Sequence, residues 1–298
     1  MKLLFLLSIT TLLVSRSLNS NYEHTFTSDE TSFYLTFVDE INVQKDLVKK
    51  YLNDGDYDNA QDHLTRMNEL YTDEIKNELA EKNQRISKEI SSSIRGVGDQ
   101  IKQRLDAKSI LNSLDVLDPV LAESLDVRLD PESLNNSTIH ALHFASLLSS
   151  MDINYRTSIL SKNSLNDSEI GVSIVSNKTE QMNHDHMEGQ TTNMERIASN
   201  ITDIVSYDTA KGLLTVIKNL YNSTVKHDTN QTQSTDLDKI NIALDQSEDI
   251  INSVRPYKEL AVQIHGIIHP TIIDIYGLDH LDINQPTTLN LQQQDSHS

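Results

Sequence analysis

From Tyr57 to Leu105 apolar side chains recur in steps of three and four. They are Tyr57, Ala60, Leu64, Met67, Tyr71, Ile75 and Leu79, then, after a polar interval, Ile86, Ile90, Ile94, Val97, Ile101 and Leu105. That period gathers them on one face of a helix, and such a face needs a partner surface. Read as continuous, the segment is about 50 residues long, or about 75 Å at 1.5 Å per residue. Gly96 and Gly98 are where a bend is expected. Similar stripes start at Ser28, a candidate N-cap followed by Asp29 and Glu30, and run through Phe33, Phe37, Ile41, Val48 and Tyr51. Strand signals are weak: eight glycines, five prolines, 5% aromatics and little period-two alternation. The expected class is all-α.

Part of the stripe is spelled twice. Residues 56–71 read DYDNAQDHLTRMNELY and residues 206–221 read SYDTAKGLLTVIKNLY, sharing seven of sixteen positions without a gap. Asp58 and Asp208 fall in a first helical turn, where a carboxylate suits the dipole. Ala60 and Ala210 permit close approach, and Leu64/Leu214 with Tyr71/Tyr221 continue one packing face. Each phrase reads as a helix start plus its buried stripe. The expected architecture is an elongated helical bundle of two related helical-hairpin halves, at residues 28–106 and 206–276. Linking helices at 107–161, a polar loop and short helix at 162–205, and a disordered tail at 277–298 complete the division.

The N-terminus has one Lys and then a twelve-residue apolar run, Leu3 to Val14. That run falls short of the roughly 20 residues needed to span a bilayer. With small residues at Ser15 and Ser17 it reads as a secretory signal cleaved after Ser17, with Ser20 the second site. No later stretch approaches spanning length, so an extracytoplasmic chain, secreted or held at the cell surface, is expected. There is no cysteine, hence no disulfide and no thiolate ligand or nucleophile. About 280 residues can bury a core without disulfides. Seven Asn-x-Ser/Thr sequons begin at Asn135, Asn136, Asn166, Asn177, Asn200, Asn222 and Asn230. A net charge of −19 repels phosphate backbones and anionic lipid, which disfavours nucleic acid as a partner.

The two [DS]YD-x-A phrases, the segment LDVRLDPESLNNSTIHALHFASLL and the closing IHGIIHP resemble uncharacterised exported helical proteins of archaea. More remotely, residues 30–105 are similar in helix pattern to the extracytoplasmic helical domain fused to iron-permease-type transporters. The membrane-helix motifs of such permeases are missing here, so the resemblance implies no transport. It carries no known activity.

Two patterns carry candidate chemistry. His265 and His269, four apart, place two imidazoles on one helix face, close enough to share a metal. A third ligand is then expected from Asp274, His280 or a glutamate of another helix. In QMNHDHMEGQTTNME, the residues Met182, His184, His186 and Met187, with Met194 beyond, bring thioethers and imidazoles together, a donor set that suits copper. Against both stands the plainer reading of packing or surface side chains. His140 and His143 read as boundary histidines, and His63 sits off the stripe. No nucleophile elbow, phosphate-binding loop or His-Glu-x-x-His is present, so no catalytic residue is expected. The expected function is a secreted, non-enzymatic helical bundle acting on a protein or cell-surface partner. The alternative is an extracytoplasmic metal-binding protein carrying iron or copper.

Overall fold

The computed structural model describes residues 27–159, 201–228 and 234–278, and among these every regular element is helical. The helices are α1 (Ser28–Asn53), α2 (Tyr57–Leu70), α3 (Asp73–Lys102), α4 (Ala107–Asp115), α5 (Leu117–Arg128), α6 (Ser137–Ile159), α7 (Ile204–Leu220), α8 (Ser234–Asn252), α9 (Tyr257–Gln263) and α10 (His269–Tyr276). A π turn, Tyr221–Val225, extends α7, and a second, Ile264–Ile268, joins α9 to α10. No described helix is long and apolar enough to cross a membrane.

Local chemistry sets the boundaries. The cap of α1 lies one residue before the expected Ser28: Thr27 and Glu30 form a reciprocal capping box. The helix ends where Gly55 takes φ +75, a conformation glycine adopts without a steric cost, and Asp56 then caps α2 by accepting from Asn59 N. The expected 50-residue helix is two helices. The chain leaves helical geometry at Tyr71, and Thr72 accepts from Ile75 N to begin α3. The bend within α3 is not at the glycines but at Asn83 (φ −153, ψ 96), whose Oδ1 takes the Arg85 amide at 3.1 Å. A short polar side chain that caps from inside a helix is the cause.

Two cores result. The first is built from α1 to α5, including Phe37, Ile41, Leu64, Ile90, Ile101, Ile110 and Leu121. The second is built from α6 to α10, including Phe144, Leu148, Leu214, Ile240, Ile251, Leu260 and Ile272, and it also takes in Val43 of α1. The segment expected to link the halves is thus divided between them. α4 and α5 belong to the first core and α6 to the second, so each half is a five-helix unit and not a hairpin.

Positions 150 apart carry matching contacts. Tyr71 OH donates to Ser87 O at 3.1 Å, and Tyr221 OH donates to Leu237 O at 2.6 Å. Phe37 lies 5.9 Å from the Tyr71 ring and Phe144 lies 6.2 Å from the Tyr221 ring. The two non-glycine residues with positive φ among those described are Arg104 (51) and Val254 (50). Each follows its helix in a Schellman turn: Leu105 N donates to Gln100 O at the end of α3, and Arg255 N to Ile250 O at the end of α8. Other pairings differ, for Tyr57 OH donates to Leu105 O whereas Tyr207 OH donates to Ile251 O.

The halves meet where α1 packs on α6 and α7. A Cβ at Gly212 would lie 2.5 Å from Val43 Cγ1, so only glycine lets α7 come this close to α1. The seam is also polar. Gln44 Nε2 donates to Thr209 Oγ1 at 2.8 Å, Tyr51 OH donates to Asp208, and Ser150 OH donates to Glu40. Glu40 is buried there, and desolvation raises its pKa.

Candidate functional site

The last helical stretch must pass Pro270, which has no amide proton and whose ring crowds the carbonyl four residues back. The π turn Ile264–Ile268 stands just ahead of that proline, and α10 begins with Pro270 in its first turn. One extra residue in the turn redirects the preceding side chains. It presents His265 and His269 to α6 with ring centroids 5.3 Å apart, tilted by 59°. The shared face expected from their spacing is therefore present.

The partner they meet is Asp152 of α6. His265 Nε2 lies 3.4 Å from Asp152 Oδ2, and the same oxygen accepts from Tyr257 OH at 2.9 Å. His269 is 1% exposed, and its ring reaches the Ala145 backbone of α6. Burial, then the neighbouring His265, push its pKa down to about 4, so it is neutral at pH 7. Tyr257 is moved the other way, upward, by burial and the adjacent Asp152 carboxylate.

Among the described residues none of the third ligands expected from sequence is at hand. Asp274 is exposed on the far part of α10, and His280 lies outside the described residues. So does the cluster Met182, His184, His186 and Met187. Among the described residues no group of three or more His, Cys, Asp or Glu side chains is arranged to hold a metal ion.

The first half explains the arrangement in other terms. There Lys45 of α1 pairs with Asp118, and Lys49 lies 2.7 Å from Asp115. Asp115 is 150 positions before His265, and Asp118, one residue before Pro119, matches His269, one residue before Pro270. Each half thus ties its first helix to its last two by a polar clasp. In the second half the carboxylate, Asp152, is on the first helix and is met by His265 of the π turn and Tyr257 of α9.

Other histidines differ from expectation. His63, off the stripe of α2, is fully buried because it faces the seam: Nδ1 donates to Gln44 Oε1 at 2.8 Å and the ring stacks on Tyr51 at 5.3 Å. Burial lowers its pKa to about 4. His143 is also buried, with Nε2 2.9 Å from Asp39 Oδ2. His140 places Nδ1 2.7 Å from Asp228 and Nε2 2.9 Å from Leu134 O. These are structural contacts.

Two open hollows mark the surface. One, of ≈ 270 Å³, lies between α1, α7 and α8 and is lined by Lys50, Asp208, Lys211 and Glu248 among others. The other, of ≈ 480 Å³, lies between α2, α6 and the head of α7. Sequence reading missed both, since their walls come from helices up to about 200 residues apart. No family model, curated protein or solved structure matches this chain.

Proposed function

We propose that this is a secreted, archaeal-type helical-bundle protein, built of two related five-helix units, that acts by binding a protein or cell-surface partner and not by catalysis. One observation carries the reading. Enzymes gather titratable groups of displaced acidity in a cleft. Here the groups moved by burial, including Tyr34, Glu40, His63, Tyr155, Tyr221 and His269, lie in the cores or the seam, and none of them lines either hollow. The signal-like N-terminus and the acidic composition support an extracytoplasmic setting.

The test has two arms. Expressed with its leader, the protein should be recovered outside the cell with an N-terminus at Leu18 or, second, Asn21, and should bind the host cell surface saturably. An intact leader on a cytoplasmic protein sinks the proposal. A titration of the purified mature chain that takes up one equivalent of iron or copper favours the metal-binding alternative instead.

A further inference from the structure

We infer that the groove between α2, α6 and the head of α7 is a docking surface for a cationic amphipathic segment of a partner protein. This rests on the binding function proposed above and names the class of partner.

The groove is lined by Asp62, Thr65, Arg66 and Glu69 from α2 and by Ile153, Asn154 and Thr157 from α6. Asp203, Val205 and Ser206 close it at the head of α7. Its walls hold three carboxylates against one guanidinium, a net charge of −2. Arg66 already lies 3.3 Å from Glu69, and Asp203 is engaged in capping α7 through Ser206. Asp62 is exposed and enters no ion pair among the described residues. The smaller hollow differs in kind: Lys50 and Lys211 balance Asp208 and Glu248, and Lys50 is paired to Asp208 at 3.4 Å. The walls of the larger groove carry a net negative charge, whereas the lining charges of the smaller hollow sum to zero.

Apolar surface accompanies it. Ile153 in the wall is 37% exposed, and Ile201 and Ile204, on either side of the capping Asp203, are 36% and 40% exposed. Large aliphatic groups left in water beside carboxylates match a helix with apolar anchors on one face and Lys or Arg beside them. A backbone bond holds the two walls together. Thr202 N donates to Ser158 O at 2.7 Å, tying the α7 head to the end of α6. A preformed groove spares the ordering cost of binding.

The probe is a fluorescent Lys/Leu peptide of about 14 residues with helical periodicity, titrated into the full mature chain at low and moderate salt. Because the whole protein is acidic, the comparison of variants decides the matter. Asp62→Lys should weaken binding about tenfold, whereas Asp126→Lys, the same charge change on exposed α5, should alter it less than about twofold. Ile153→Ser should weaken binding with the salt dependence unchanged. Equal losses from Asp62→Lys and Asp126→Lys, or no saturable binding, overturn the inference. Self-association lost in Asp62→Lys, without peptide binding, assigns the groove to a second copy and also overturns it. Cell-surface attachment that survives Asp62→Lys sinks the groove alone and leaves the proposed function standing.

Discussion

Val254 bears a backbone conformation that a β-branched residue rarely adopts, since at φ +50 its Cβ crowds the following carbonyl. Val254→Gly should therefore stabilise the protein by about 1 kcal/mol, read as a higher urea midpoint at unchanged slope. Gly212→Ala is the opposite case. The added methyl meets Val43 at 2.5 Å, and the seam must open by a cost of about 1–3 kcal/mol. His63 and His269 govern acid behaviour. Each is neutral when folded, with a pKa of about 4, and takes a proton near 6.5 when unfolded. Below about pH 6.5 the unfolded chain thus binds more protons, and stability is lost as pH falls towards 4. For the pair the loss between pH 7 and 5 is about 3 kcal/mol as an upper limit, and Glu40, whose pKa is raised, offsets part of it. His269→Leu should roughly halve the loss in urea titrations at the two pH values; an unchanged slope would count against a buried neutral imidazole.

At the scale of helices, the break between α2 and α3 separates two accounts of the long stripe. Thr72→Ala removes the cap of α3 and should cost about 1 kcal/mol. Gly96→Ala, at a helical site with open space around it, should stabilise by about the same amount. Were the bend at Gly96, that substitution would destabilise. The stripe itself was legible: Ala60 through Ile101 are buried as the period requires, although Leu105 is 41% exposed beyond the end of α3. The breaks were not, because Thr72 and Asn83 act through single side-chain bonds that leave the apolar period intact. The burial of His63 was not legible for a related reason. The ring points away from its own core into the seam, and one helix's periodicity does not reveal a second burying surface. His265 and His269 were visible as a pair from their spacing, but Asp152, 113 positions earlier, and Tyr257 on another helix were not.

The whole molecule reads as two five-helix units joined along α1, α6 and α7. The Tyr71 and Tyr221 bonds and the two Schellman turns recur at an offset of 150, and Pro119 and Pro270, beyond the second π turn, at 151, whereas the matching contacts of α1 and α6, through Phe37 and Phe144, stand 107 apart. One departure falls where the units meet: Asp58 is exposed and pairs with Arg104, but its counterpart Asp208 is drawn into the seam by Tyr51 and Lys50. Amide residual dipolar couplings on the full mature chain test this relation most directly. The account predicts that one rotation carries α2, residues 84–102 and α4 together onto α7, α8 and α9. A separate rotation needed for each helix pair would contradict it.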